Sequence, residues 1–447
     1  MKSKISGSKM WADEKHRLLH IGEKILRLEP ELLNELTTCK RDIGFSIRLH
    51  RDNGKTEHIL GWRVRHRNPY NTGTKPYKGG FMLSTSAGLN LLRTKAALMT
   101  LKCALVGPNE NERVPFGGSK GGVRCNPDEL SRNEKGQIME KVAEELNNEI
   151  GPTLDSLGPD VGVGPEEIRA FMTRYAALNQ NKGIPCGAAA TGKPLEDAGG
   201  GCPGRLTATG LGMHYILQEI CTNFINVPNL PAMPTAIIQG FGNVGGSFAE
   251  FSRDFSIKII GVSDKYGGIY NPNGINIPDL IAYTKENPQR TVNGFPDAKS
   301  VNGDKLLLMP CDILVPAATE NVILKQNAGR LNSKILLEGA NAPTSLEADP
   351  ILRERGIIVI PDILANAGGV TVSYFEWCQD TQGKSWEECT TKSELESYMI
   401  GGAQRTIDAS LRFKTDLRTA AYITALSYLA PALRKKQRWD KSKKSLV

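Results

Sequence analysis

No apolar run in the chain approaches the ~20 residues needed to cross a bilayer, so no membrane span is expected. The first residues, Met1 to Met10, are polar and lack the apolar core of a secretion signal. The nine cysteines are scattered singly, with no C-x-x-C pair and an odd count. That argues against a disulfide framework or a zinc site, and it fits a reducing compartment, the cytoplasm. The six histidines form no metal-ligand cluster, so no metal is expected. Internal repeats and low-complexity blocks are also missing. What remains is an ordinary globular composition, 40% hydrophobic and 23% charged, in 447 residues, enough for two or three domains.

The net charge of +8 raises the question of nucleic acid. Much of the excess lies in the tail from Arg434 to Lys444, which holds one aromatic, Trp439. Such a tail could touch RNA or an acidic surface. The simpler reading is a solvated, mobile end, and nucleic acid is not expected as a partner.

The first ~200 residues mix amphipathic helical stretches with short strand-like runs. A helix is expected over Leu91 to Leu105, with Leu92, Ala96, Met99 and Cys103 on one side. Another is expected over Asp128 to Ile150, bounded by Asn126-Pro127 and Gly151-Pro152. The glycine- and proline-rich stretch from Gly187 to Gly204 reads as a long loop at a domain border. The middle of the chain changes character. Apolar runs at Thr235–Gln239, Ile257–Val262, Cys311–Val315, Lys334–Leu337 and Gly356–Ile360 are separated by helix-length segments. They predict a parallel sheet covered on both faces. From Asn366 on, the chain looks helical again and is expected to return to the first domain.

Gly240-Phe241-Gly242-Asn243-Val244-Gly245 fits G-x-G-x-x-G. Alone the pattern is weak. Here it follows a strand-like run, opens a helix-like segment (Val244 to Phe255), and is followed about twenty residues on by a second apolar run ending at Ser263-Asp264. The whole is a dinucleotide fingerprint, with pyrophosphate at the helix N-terminus. Asp264 would bind the adenosine ribose hydroxyls and repel a 2′-phosphate. NAD is therefore expected over NADP, with the adjacent Lys265 softening that preference.

Three lysines precede this region in unusual settings: Lys78 in Pro76-Tyr77-Lys78-Gly79-Gly80, Lys102 in Met99-Thr100-Leu101-Lys102, and Lys120 in Phe116-Gly117-Gly118-Ser119-Lys120-Gly121-Gly122. Asp160 lies in Gly158-Pro159-Asp160-Val161-Gly162. Lysines beside glycine or inside apolar sequence suit the capture of carboxylates. One that is partly desolvated can have its pKa lowered enough to act as a base. A nicotinamide enzyme with several such lysines implies a small anionic substrate.

At these residues the sequence resembles the glutamate dehydrogenase branch of the glutamate/leucine/phenylalanine/valine dehydrogenases. The resemblance runs from about Gly61 to Trp377. It includes Thr191-Gly192-Lys193-Pro194, Gly204-Arg205 with Ala208-Thr209-Gly210, Pro316-Ala317-Ala318, Glu338-Gly339-Ala340-Asn341, and Asn366-Ala367-Gly368-Gly369-Val370 running to Ser373-Tyr374-Phe375-Glu376-Trp377. It implies an α/β fold in which an N-terminal substrate and oligomerisation domain (1–203, joined by the helical return of 378–447) faces a Rossmann-type domain (204–377) across a cleft. The implied reaction is the reversible oxidative deamination of L-glutamate to 2-oxoglutarate and ammonia, with NAD, or else NADP, as hydride acceptor. By the same resemblance Lys120 activates the attacking water and Asp160 exchanges protons with the amino group. Lys102 and Asn366 hold the α-carboxylate, while Lys78 and Ser373, beside Gly80, hold the side-chain carboxylate. Thr209 and Asn341 steady the nicotinamide end, Ala318 lies near the adenosine, and Gly240, Gly242, Asn243, Val244 and Gly245 form the turn. A homo-oligomer, a hexamer, is implied.

The chain departs from the family pattern in places. Phe81-Met82-Leu83 lacks an arginine that usually supports the site, Gly158 stands where Ala is common, and Ala342 replaces a usual Gly. Extra residues centred on Gly107-Pro108-Asn109-Glu110-Asn111-Glu112 read as an exposed turn at a longer hairpin end. These departures leave open another amino acid as substrate. A catalytically silent relative acting as a binding protein is the reading from a different class, and retention of the lysines and the glycine turn argues against it.

Overall fold

The structure, a computed structural model, describes residues 5–70, 74–181, 183, 186–197, 200–224 and 230–444. Five strands make the first sheet: β1 (Arg41–His50), β2 (Thr56–Arg65), β3 (Tyr77–Leu83), β4 (Gly117–Val123) and β5 (Asp155–Pro159), in the order β1-β2-β4-β3-β5. β1 and β2 form an antiparallel hairpin, in register from Arg41 opposite Arg65 to His50 opposite Thr56. Along the end of β1 only every second residue, Ile47 and Leu49, is buried, so one face of the hairpin meets the core. β3 pairs in parallel with β4 on one side and β5 on the other. These central strands are rich in glycine because they lie unusually close. A Cβ added at Gly79 would fall 1.6 Å from the Ser119 carbonyl oxygen, a clash with backbone that no side chain can relieve.

The second sheet holds β6 (Thr235–Gln239), β7 (Lys258–Ser263), β8 (Gly268–Tyr270), β9 (Lys299–Val301), β10 (Ile313–Pro316), β11 (Ile335–Leu337) and β12 (Ile358–Ile360), in the order β12-β11-β10-β6-β7-β8-β9. From β12 to β7 all pairs are parallel. The five apolar runs of the sequence form these five strands, Thr235–Gln239 with its bounds unchanged and the others with ends moved by one or two residues. β8 and β9 are antiparallel additions at the edge, too short to give a periodic signal.

The helix expected over Asp128 to Ile150 is shorter, Arg132–Glu145. Ser131 and Glu134 form a reciprocal capping box that fixes its start, and Pro127–Glu129 is a separate 3-10 turn. The Leu89–Leu105 helix lies directly on β4: a Cβ at Gly118 would sit 2.3 Å from the Ala96 carbonyl oxygen and from the Thr100 nitrogen. The end of the chain forms the helices Gly368–Gln382, Glu388–Phe413 and Leu417–Lys444. The last packs on Leu89–Leu105, with Ala420, Ala421 and Ala425 buried. Tyr422 donates to the Glu14 carboxylate at 2.9 Å, and Arg434 pairs with Glu29 at 2.7 Å. The start of the basic tail is thus a docked helix rather than a loose end, and its side chains beyond residue 436 lie outside the described residues. The Glu388–Phe413 helix instead packs on the Ala208–Asn223 helix beside the second sheet.

The insertion is not a hairpin end. It is the connection between the Leu89–Leu105 helix and β4, and only its tip, from Asn109 to Glu112, is exposed. Its base is held by Arg405, which donates to the carbonyls of Leu105 at 3.0 Å and Gly107 at 2.7 Å. Ala198 and Gly199 of the glycine-rich loop lie outside the described residues. Among the described residues no helix is long and apolar enough to cross a membrane.

Candidate active site

β3, β4 and the end of β5 bring the sequence-singled residues together. In paired parallel strands every second residue shares a face. Lys78 and Gly80 alternate on β3, Gly118 and Lys120 on β4, and Gly158 and Asp160 at the end of β5, with Gly80 opposite Gly158. Lys120 Nζ lies 2.9 Å from Asp160 Oδ2. A Cβ at Gly80 would stand 3.1 Å from Lys120 Nζ and 2.9 Å from Asp160 Cβ, and a Cβ at Gly158 only 2.7 Å from Lys78 Nζ. Gly158 therefore does more than widen a pocket: it gives the Lys78 ammonium its place.

Lys78, Lys102 and Lys120 are all buried. Lys78 Nζ donates to the Leu157 carbonyl at 3.0 Å, and Lys102 Nζ donates to Asn341 Oδ1. Neither has a carboxylate within ion-pair distance among the described residues. Burial, with Arg205 and Arg63 nearby, pushes the Lys78 pKa well below the ordinary lysine value. Burial lowers Lys102 to about 8. Lys120 is also lowered, by burial foremost, although Asp160 pulls it back up. Burial pushes the Asp160 carboxyl up, but Lys120 and Lys95 outweigh it and the net shift is downward. The pair is thus an ionised carboxylate against a lysine that gives up its proton more readily than usual.

The second sheet supplies the glycine turn. Gly240 has φ +99°, and a Cβ there would lie 2.8 Å from Ala318, so turn and Ala318 are in contact. A Cβ at Gly245 would strike the Gly240 carbonyl oxygen at 1.9 Å, whereas Gly242 faces open space. The Asn243–Phe251 helix begins here, and the N–H groups of Asn243, Val244 and Gly245 precede its first internal bond, from Gly246 to Gly242 at 2.7 Å. These features fit a bound dinucleotide: a turn closed to side chains, N–H groups free for phosphate, and a buried acceptor without a partner at Gln239 Oε1. Asp264 has both carboxylate oxygens engaged. Oδ1 accepts from the N–H groups of Tyr266 and Gly267, and Oδ2 from Thr291 Oγ1 at 2.7 Å and the Val292 N–H at 2.8 Å. All four donors come from its own surroundings. Lys265 reaches across to Asp128, 2.7 Å away.

Between the sheets, Asn366 Nδ2 donates to the carbonyls of Gly339 at 3.1 Å and Ala340 at 3.2 Å. Asn341, associated above with the nicotinamide end, holds Lys102. Thr209 Oγ1 would be 2.8 Å from a Cβ at Gly369, and Arg205 Nη1 3.7 Å. Ser373 Oγ donates to the Gly369 carbonyl at 2.9 Å and accepts from Arg205 Nε at 3.0 Å. Sequence reasoning missed Arg205 as a member of this group, although its place in Gly204-Arg205 was a signal. It also missed the buried Arg63, which donates to Asp155, Ser119 and the Gly79 carbonyl. Met82, where an arginine was expected, is buried with Val64, Ala87, Leu92 and Ala96.

A sheet with a face of buried lysines, set against a sheet with a dinucleotide turn, defines a nicotinamide-dependent enzyme of small anions. The chain belongs to the glutamate/leucine/phenylalanine/valine dehydrogenase family: the family model matches residues 200–437, and the model of the family's dimerisation domain matches residues 40–177. An NADP-specific glutamate dehydrogenase of Synechocystis is 36% identical over 438 residues, covering 96% of this chain and 97% of the relative. A catabolic NAD-specific glutamate dehydrogenase of Bacillus subtilis is 36% identical over 396 residues, covering 88% of both. The crystal structure of a hetero-hexameric glutamate dehydrogenase from Thermus thermophilus, in a leucine-bound form, superposes with a TM-score of 0.86 at 27% identity, covering 96% of this chain and 97% of that one.

Proposed function

We propose that the protein catalyses the reversible, nicotinamide-dependent oxidative deamination of L-glutamate to 2-oxoglutarate and ammonium. The observation that carries this reading is the pair of buried lysines, Lys78 and Lys102, without carboxylate partners. A buried cation left alone is costly, and a dicarboxylate entering between them supplies both missing anions. Lys102 and Asn366 take the α-carboxylate. Lys78 and Ser373, beside Gly80, take the distal one, and Arg205 joins them through its bond to Ser373. Lys120, as base, activates the attacking water, and Asp160 at 2.9 Å passes protons to and from the amino group. The nicotinamide, when bound, accepts the hydride, with Thr209 and Asn341 at that end and Ala318 toward the adenosine.

The division of labour follows the sequence reading: 1–203, joined by the return of 378–447, as the substrate and oligomerisation part, and 204–377 as the dinucleotide part. The packing of the Leu417–Lys444 helix on Leu89–Leu105 supports the return for that helix, whereas Glu388–Phe413 packs on the Ala208–Asn223 helix of the dinucleotide part. The hexameric relative supports a hexamer, and a cytoplasmic setting fits the singly scattered cysteines. NAD is the proposed cofactor, with NADP also accepted. The Asp264 charge still disfavours a 2′-phosphate, but its four hydrogen bonds spread that charge over its own turn and over Thr291 and Val292. Lys265→Glu should cut kcat/KM with NADPH a few-fold more than with NADH, and equal losses with the two would show that Lys265 does not face the ribose.

The test of the substrate is Lys78→Leu. Removing one partner of a buried charge pair typically costs a complex about 2–5 kcal/mol. We expect kcat/KM for glutamate and for 2-oxoglutarate to fall about 100-fold or more, while activity with apolar 2-oxo acids holds or rises. A variant that keeps its preference for 2-oxoglutarate would overturn the assignment of Lys78.

A further inference from the structure

Lys95 has no part in the reading above, yet it is one of the most buried lysines in the chain, its side chain 5% exposed. It lies on the Leu89–Leu105 helix, two turns before Lys102 and on the same side. That helix rests on the catalytic strands: Ala96 and Leu92 pack on Met82, and the Thr100 nitrogen sits over Gly118, two residues before Lys120. The only carboxylate at ion-pair distance from Lys95 among the described residues is Glu320, 3.4 Å from Nζ. Glu320 comes from the other sheet. It follows β10 in the loop Ala317-Ala318-Thr319-Glu320, and Ala318 of that loop is the residue that abuts Gly240 of the glycine turn.

We propose that Lys95 is a positioning residue whose ion pair with Glu320 ties the loop beneath the cofactor turn to the Lys120–Asp160 pair and sets the proton balance between those two groups. This rests on the assignment of Lys120 and Asp160 as the proton-handling pair. The charges facing Lys95 are Glu320 and Asp160, both attractive, and Lys120, repulsive. Its positive charge helps to lower Lys120 and to keep Asp160 ionised. Glu320 offsets part of that charge.

The two ends of the pair must then act in opposite directions. With Lys95→Met the repulsion on Lys120 is lost, and the rising limb of the pH profile of kcat/KM for glutamate should move up by on the order of one pH unit. With Glu320→Gln the lysine is no longer offset, and the limb should move down. Lys95→Arg should restore it. To read the same balance without turnover, Lys120 can be followed by the 13C signal of the reductively methylated protein, assigned by its loss in Lys120→Arg. Opposite displacements of that titration in Lys95→Met and Glu320→Gln would support the inference even if the substrate proved to be another amino acid. Displacements of the same sign, or a loss of thermal stability with both limb and signal unmoved, would overturn it and leave Lys95 a structural cation. Failure of the unaltered protein to oxidise glutamate, with the opposite displacements present, would count against the glutamate reading alone.

Discussion

Replacing Lys120 by alanine should lower turnover by about 10³–10⁴-fold, the upper range for a general base, with the fold intact. The expectation rests on position and charge together. Lys120 is buried on β4, 2.9 Å from Asp160, and loses its proton more readily than an ordinary lysine because burial disfavours its charged form. The small, uncharged replacement leaves space rather than a clash, so the protein should remain soluble and keep its native circular dichroism. The same shift fixes the sign of the pH dependence. Glutamate oxidation needs the neutral amine, so kcat/KM should rise with pH and level off below the ordinary lysine value of 10.5. Reductive amination, which needs the proton back, should decline over that range. Nicotinamide absorbance with glutamate, and with 2-oxoglutarate plus ammonium, reads both limbs. A Lys120→Ala variant that retains a tenth of the original rate would remove Lys120 from the mechanism.

The largest effect on stability is expected at Asp155, which no sequence pattern singled out. Its carboxylate accepts from Arg63 Nη2 at 2.6 Å and Nε at 3.0 Å, from Arg65 Nε at 3.0 Å and from Ser119 Oγ at 2.8 Å. Asp155 and Arg63 are both fully buried. Breaking a buried pair from one side typically costs about 3–5 kcal/mol, because the partner charge is left uncompensated, and here Arg63 would lose its carboxylate while Arg65 keeps Glu149 at 3.1 Å. Asp155→Ala should lower the urea midpoint accordingly or prevent soluble expression, and Asp155→Asn should fall between it and the original. Activity should suffer as well. Arg63 also donates to the Gly79 and Gly80 carbonyls and to Ser119, so it fixes the spacing of the strands that carry Lys78 and Lys120. An unchanged midpoint in Asp155→Ala would mean that the arginines find other partners.

Local patterns carried much of this architecture. The run Thr235–Gln239 is a strand with those bounds, because a β-branched, apolar stretch ending in glycine has few alternatives in a parallel sheet. Lys78, Lys102, Lys120 and Asp160 drew attention through their glycine-rich or apolar surroundings, and the strands do bring three of them to one spot. Arg63 and Asp155 were hidden because nothing in sequence says that two residues so far apart form a buried ion pair. Lys95 reads as a helix-surface lysine until β4 is seen beneath that helix. Asp264 shows what the pattern leaves out. Its place after the second strand suggested a ribose ligand, but the turn to Gly267 and the return of Thr291 were not visible, and they occupy its oxygens. The insertion at Gly107–Glu112 looked like a free tip because its anchor, Arg405, lies far down the chain.

The packing of the last helix on the early one also bears on how the chain is made. Leu98, Leu101 and Leu105 belong to a core that includes Ala420, Ala421 and Leu426, and Tyr422 seals Glu14. On the ribosome the early strands and the Leu89–Leu105 helix emerge long before the residues that cover them. Their apolar surface stays open through synthesis of the whole second sheet, and partly folded chains with such surfaces tend to associate wrongly. A chain ended before Leu417 should therefore fail by aggregation rather than by loss of any group that touches substrate, and nascent chains stalled at that length should be the ones that chaperones retain.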